Sequence, residues 1–176
     1  VGTLFIDFDS NGNLTNPSTF LNRSSFIRTG GAAEAAGTKV HVVVRNGAFS
    51  NTTTEAVMTN ASRRTALVNS IVSMINQDAV QNGARYCHGV SFDFEPFSWN
   101  SAARDGMILF FQELRTGLDT IDPALEISWY VDPTPSSTQF NIPAMAPYID
   151  FWIYSAYDWS TSNTPRAVSD FNNYLT

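Results

Sequence analysis

The sequence predicts an α/β fold in which a parallel sheet is covered by helices. Three observations carry that expectation. Short apolar runs alternate with longer amphipathic ones along the chain, which is the strand–helix alternation of a parallel sheet. The short runs are apolar on both faces, as strands buried between two layers are. No glycine-rich phosphate loop follows the first run, which disfavours a dinucleotide-binding version of the fold. An open doubly wound sheet and a (β/α)8 barrel both satisfy these observations.

Leu4 to Phe8 reads as the first strand, followed by the turn-rich Asp9-Ser10-Asn11-Gly12-Asn13. Pro17 to about Ala36 is helical in part and broken at Gly30-Gly31. Val40 to Val44 is a strand by its β-branched run, and Gly47 marks the loop after it. From Ser62 to about Gln77 the apolar residues Ala66, Leu67, Ile71, Met74 and Ile75 follow a helical stripe. A third strand begins at Gly89. Ala102 to Leu118 is a second helix, with Met107, Ile108, Phe110, Phe111 and Leu114 as its apolar side. Glu126 to Val131 is a strand that ends in an Asp132-Pro133 turn. A helical turn at Ile142 to Ala146 leads to a strand from Ile149 to Ser155, and Arg166 to Leu175 closes the chain as a helix. Five strands are expected, without internal repeats or low-complexity linkers.

The third strand carries the chemistry. In Gly89-Val90-Ser91-Phe92-Asp93-Phe94-Glu95-Pro96, alternation puts Ser91, Asp93 and Glu95 on one face and Val90, Phe92 and Phe94 on the other. The aromatic face belongs under helices. Pro96 cannot continue a ladder and is expected to stop the strand just after Glu95. Polar and acidic groups on a buried strand are costly unless they perform chemistry or are fully hydrogen-bonded. Catalytic carboxylates and a structural carboxylate pair both meet that condition.

Composition narrows the partners. With 176 residues, 43% hydrophobic and 13% aromatic, the chain is expected to be one globular domain. No apolar run is long enough to span a membrane, and no signal peptide opens the chain; a start at Val1, directly in a strand-like run, suggests a leader removed or left out. The net charge of −6, with Lys39 as the one lysine, offers no basic stripe to nucleic acid or an anionic membrane surface. A neutral or weakly charged ligand fits better. The single cysteine, Cys87, excludes an internal disulfide framework, and the separated His41 and His88 give weak support to a zinc site. Cys87 and His88 are neighbours and point to opposite faces of a strand, so Cys87 reads as buried filler rather than a nucleophile. Abundant Asn, Ser and Thr with little Lys point to a secreted, extracellular protein. Sequons at Asn13, Asn22, Asn51 and Asn60 are a weaker sign of glycosylation.

Gly89 to Glu95 resembles the DGxDxDxE signature of glycoside hydrolase family 18, the chitinases and related endo-β-N-acetylglucosaminidases. Three further segments agree in order and spacing. Lys39 to Gly47 is similar to the family's third strand and SxGG motif, and Asn60-Ala61-Ser62-Arg63-Arg64 to the helix start that follows. Tyr148 to Asp158 is similar to the sixth-strand segment that ends in MxYD. The resemblance implies a (β/α)8 barrel of which this chain covers strands 2 to 6 only, so that residues 1–176 form a single, incomplete barrel domain. The first, seventh and eighth strands have no counterpart.

The resemblance also implies an endo-acting hydrolase of β-1,4-linked N-acetylglucosamine polymers, without cofactor or metal, and a monomer. Glu95 would be the general acid. Asp93 would hold the substrate's 2-acetamido group, and Tyr157 would donate its hydroxyl to the acetamido carbonyl. That carbonyl is the nucleophile in this family, and the anomeric configuration is retained. Asp158 would shape the sugar subsite. The chain departs from the pattern at His88 and Ser91, which replace the family's first two Asp residues, and at Val44-Arg45-Asn46-Gly47 in the SxGG position. Alternatives on the same barrel are an endo-β-N-acetylglucosaminidase acting on N-glycans or peptidoglycan, and a chitin-binding lectin. Retention of Glu95 argues against the lectin.

Four tryptophans are candidate sugar platforms. Trp99 and Trp159 follow strand C-termini and are expected to stack on sugar, whereas Trp129 and Trp152 lie within strands and are expected in the core. Tyr130 ends the fifth barrel strand and is expected to line the cleft, and Ser91 is expected to bind substrate and to hydrogen-bond Asp93. Arg45 is expected to form a structural ion pair with a barrel carboxylate. Asp7 and Asp9 are either cleft residues or solvated strand-end groups.

Overall fold

The computed structural model of the chain describes residues 5–15, 17, 32, 35–82, 87–95, 99–131 and 140–154. Five strands, β1 (Phe5–Phe8), β2 (His41–Asn46), β3 (Gly89–Asp93), β4 (Glu126–Val131) and β5 (Phe151–Tyr154), form one sheet. Each pairs in parallel with the next in sequence, in the order β1-β2-β3-β4-β5. A doubly wound sheet reverses its strand order at a switch point. No reversal occurs among these five strands, so the winding is that of consecutive strands of a (β/α)8 barrel.

Register sorts the strand residues into two faces. Ile6, Phe8, Val42, Val44, Val90, Phe92, Phe94, Ile127, Trp129 and Val131 form one buried face. Helices cover it: α1 (Asn51–Met58), α2 (Ala61–Asn82) and α3 (Ser101–Asp119). The core between sheet and helices is aromatic, with Phe92 edge-on to Phe94, Phe110 and Phe111 at ring distances of 5.3 Å. The opposite face, the barrel interior, rises in layers. His41 and Glu126 flank Gly89 at the floor, Val43, Ser91 and Ser128 lie above them, and Arg45 aligns with Asp7 and Asp93 at the C-terminal rim.

Each helix begins on a side-chain cap. Ser50 accepts from the Thr53 N–H, Asn60 from the Arg63 N–H, and Asn100 from the Ala103 N–H. Helix α1 is an addition to the expected elements. Its sequence NTTTEAVM is rich in threonine, a poor helix former, and burial of Thr54, Val57 and Met58 against its neighbours fixes it. Helix α2 runs beyond the expected range at both ends. A short helix α4 (Ile142–Met145) and a 3-10 turn (Ala146–Tyr148) precede β5. The ladder of β3 stops at Asp93 rather than after Glu95, because β2 turns away at Asn46 into a 3-10 turn (Gly47–Phe49) and offers no further backbone partner. Most of the helical region expected between Pro17 and Ala36, Pro96, the Asp132-Pro133 turn and the closing helix from Arg166 to Leu175 lie outside the described residues.

Candidate active site

At the C-terminal rim the sequence brings four charged side chains together. Arg45 reaches Asp7 through two hydrogen bonds, Nε to Oδ1 at 3.0 Å and Nη2 to Oδ2 at 3.2 Å, the paired geometry in which guanidinium and carboxylate bind best. Its guanidinium also lies 4.5 Å from the Phe5 ring centroid and 5.2 Å from that of Phe49. One position along the ladder, Asp93 is half-buried and hydrogen-bonded to the Glu95 side chain. Burial raises the Asp93 carboxyl above the ordinary carboxylate range, and the bond to Glu95 and the Arg45 charge offset only part of that rise.

Glu95 lies past the end of the ladder, and its backbone is held by a side chain. The Glu95 N–H donates to Asn46 Oδ1 at 3.0 Å, and Asn46 Nδ2 donates back to the Glu95 carbonyl at 2.6 Å. The same Nδ2 donates to the Ser50 carbonyl at 3.2 Å. Asn46 is fully buried. The expectations from sequence did not include it. The signal was a polar residue in phase with Val42 and Val44, on the face that is otherwise apolar.

The floor is a second polar cluster. Ser91 and Ser128 share a hydrogen bond of 2.6 Å, and each hydroxyl lies 3.3 Å from His41 Nδ1. His41 Nε2 lies 3.1 Å from Glu126 Oε2, and Lys39 pairs with the other oxygen of that carboxylate. Glu126 is an acceptor, so the imidazole proton belongs on Nε2 and Nδ1 accepts from a serine. Burial lowers the proton affinity of His41, and the Glu126 carboxylate offsets part of that. Gly89 makes room for the cluster. A Cβ there would lie 2.3 Å from the Glu126 carbonyl and 2.8 Å from His41 Nε2. Tyr130, half-buried, lines the cavity of about 250 Å³ above this floor.

The expected site residues are therefore distributed. Asp93 and Glu95 meet at the rim. Ser91 is buried, bonded to Ser128 and His41, and lines the cavity above the floor. Trp99 is 7% exposed, edge-on to Phe140 at 5.2 Å and 6.1 Å from Trp129, and packs with the core. Trp129 is fully buried, and Trp152 stacks on it at 6.1 Å. Asp9 closes the turn after β1 by accepting from the N–H groups of Asn11 and Asn13. Cys87 is buried, its N–H donating to Asp78 and its thiol to the Gly89 carbonyl. Tyr157, Asp158 and Trp159 lie outside the described residues. Among the described residues no group of three His, Cys, Asp or Glu is arranged to hold a metal ion, and no helix is long and apolar enough to cross a membrane.

The consecutively wound parallel sheet is part of a (β/α)8 barrel with two acidic residues, Asp93 and Glu95, at the C-terminal end of β3, and comparison fixes the family. The chain belongs to the glycosyl hydrolases family 18, whose model matches residues 2–173. A curated relative is YdhD of Bacillus subtilis (strain 168), described only provisionally as a sporulation-specific glycosylase. It is 28% identical over 157 residues, covering 85% of this chain and 33% of that protein. Its crystal structure superposes with a TM-score of 0.77 at 18% identity, over 98% of this chain and 55% of that one. An Ostrinia furnacalis group IV chitinase in complex with allosamidin matches with a TM-score of 0.73 at 17% identity, over 89% of this chain and 42% of that one. A class V chitinase variant from Nicotiana tobaccum in complex with NAG4 gives 0.68 at 18% identity, over 89% and 45%. These likenesses establish the partial barrel. The chain spans about a third of the curated relative and about half of the matched structures.

Proposed function

We propose that this chain forms the acid-bearing part of a chitinase-like glycoside hydrolase that cleaves β-1,4-linked N-acetylglucosamine polymers with retention. The observation that carries this reading is the hydrogen-bonded Asp93–Glu95 pair at the C-terminal end of β3, where (β/α)8 barrels place their catalytic groups. Glu95 gives its proton to the glycosidic oxygen as the bond to the anomeric carbon breaks. The substrate's own 2-acetamido carbonyl oxygen closes on that carbon, forming an oxazolinium ion. Asp93 accepts a hydrogen bond from the acetamido N–H and balances its developing charge. Water, deprotonated by Glu95, then opens the ring and restores the acid. Tyr157 and Asp158 complete the subsite in this reading, and Trp159 supplies a stacking face. A polymeric substrate and the lysine-poor composition support a secreted protein in this reading.

Hydrolysis of a fluorogenic chitobioside by the intact protein tests the proposal, beside Glu95→Gln and Asp93→Asn. The wild type is expected to be active, and each variant to lose about two to four orders of magnitude in kcat, the range for a positioned acid or its partner. Wild-type binding of chitooligosaccharide without cleavage would make the protein a lectin. Retained activity in Glu95→Gln would remove Glu95 from the mechanism.

A further inference from the structure

We infer that Asn46 is a positioning residue for the acid. This inference rests on the reading of Glu95 given above. The β2–β3 ladder ends with the Arg45–Asp93 pair, so Glu95 emerges two residues beyond the last backbone partner. A free strand end there would let the carboxyl swing by several ångströms, and an offset of about 1 Å at a reacting group can cost a hundredfold in rate.

Asn46 removes that freedom. Its amide accepts from the Glu95 N–H at 3.0 Å and donates to the Glu95 carbonyl at 2.6 Å. That is the two-point pairing a neighbouring strand supplies, delivered here by a side chain. A third bond, Nδ2 to the Ser50 carbonyl at 3.2 Å, anchors the clasp to the residue that caps α1. Asn46 is also the hinge at which β2 leaves the sheet, with φ −78° and ψ 89°. Asn46 itself is fully buried, which shields its amide from competing water. Only a primary amide fits the pattern. It needs one acceptor and two donor positions on a planar group. Neighbouring Arg45 acts on the Asp93 carboxyl through charge, so the last two residues of β2 act on both members of the pair, Asn46 through the Glu95 backbone.

The test is a comparison of Asn46→Ala, Asn46→Asp, Glu95→Gln and wild type in the intact protein. The readouts are kcat and KM on the fluorogenic chitobioside across pH, with folded fraction measured by thermal melting. Asn46→Ala is expected to lower kcat about a hundredfold per folded molecule, with KM changed by less than about threefold. Asn46→Asp keeps the shape and the acceptor for the Glu95 N–H. Ionised, it turns a second acceptor toward the Glu95 and Ser50 carbonyls; protonated, it restores a donor. Its activity relative to wild type is therefore expected to recover as pH falls. A residue that merely supports the fold would lower the melting temperature and leave kcat per folded molecule and the pH profile unchanged. That result, with Glu95→Gln inactive, overturns the inference alone. An inactive wild type, or an active Glu95→Gln, overturns it together with the assignment of Glu95. Should Asn46→Ala fail to fold, the pH profile of Asn46→Asp decides.

Discussion

His41 and Asp93 show how one sheet face gives two residues opposite pH responses. Burial lowers the proton affinity of His41 from its ordinary value near 6.5. A group depressed on folding contributes stability above its unfolded pKa and loses it as pH falls through the folded value. Glu126, whose burial raises its carboxyl but which Lys39 and His41 together hold below its ordinary 4.5, adds a loss of the same sign at lower pH. Asp93 runs the other way. Its carboxyl is raised from 3.8, so its contribution is complete below that value and is lost as pH rises through the folded one. Two expected outcomes follow for urea unfolding measured between pH 4 and 8. His41→Gln removes a component of stability loss on acidification below about pH 6.5, so its stability relative to wild type improves as pH falls. Asp93→Asn is at least as stable as wild type at pH 7, and that advantage shrinks toward pH 4. A pH-independent difference in either variant would contradict the assignment of that group.

At the scale of elements, the fold depends on close approaches that leave no space for a side chain. Gly106 in α3 is one. A Cβ there would lie 2.0 Å from the Met58 carbonyl oxygen at the end of α1, and the obstacle is backbone. Helix propensity favours alanine over glycine by about 1 kcal/mol, but pushing two helices apart costs more. Gly106→Ala is expected to destabilise by about 1–3 kcal/mol net, lowering the melting temperature by several degrees. A more stable variant would show that α1 shifts freely. This contact also explains what the sequence hid. The strands were legible because their β-branched and aromatic runs are buried on the helix-covered face: β4 matches its expected range, and Phe92 and Phe94 lie under helices as alternation requires. Helix α1 was not legible, because Thr52, Thr53 and Thr54 weigh against a helix in isolation. Only its packing on α2 and α3 makes it one. The end of β3 is not legible for a related reason, since a ladder ends where its partner turns, and β2 turns at Asn46.

At the scale of the molecule, the sheet is open. Among the described residues β1 and β5 each pair on one side only. Phe5 and Phe151, both on the interior face, are 55% and 41% exposed. Open strand edges beside exposed aromatic rings template association. The isolated 176-residue span is therefore expected to self-associate or to fold only in part, as read by light scattering and urea unfolding. A monomer with a single cooperative transition would show that this sheet is stable without further strands. Sequence by itself determined the order of strands and helices, the face each strand turns to the helices, and the acidic run of β3, because period and residue type are local properties of the chain. It also gave Cys87 and Trp129 to the core and Arg45 to an ion pair. Only the tertiary structure decided which residues meet across strands. It brought Arg45 to Asp7, clasped Glu95 with Asn46, turned Ser91 toward His41 and Ser128, and buried Trp99 against Phe140. Those pairings join residues up to 50 positions apart, and they depend on register and turn geometry that no local pattern encodes.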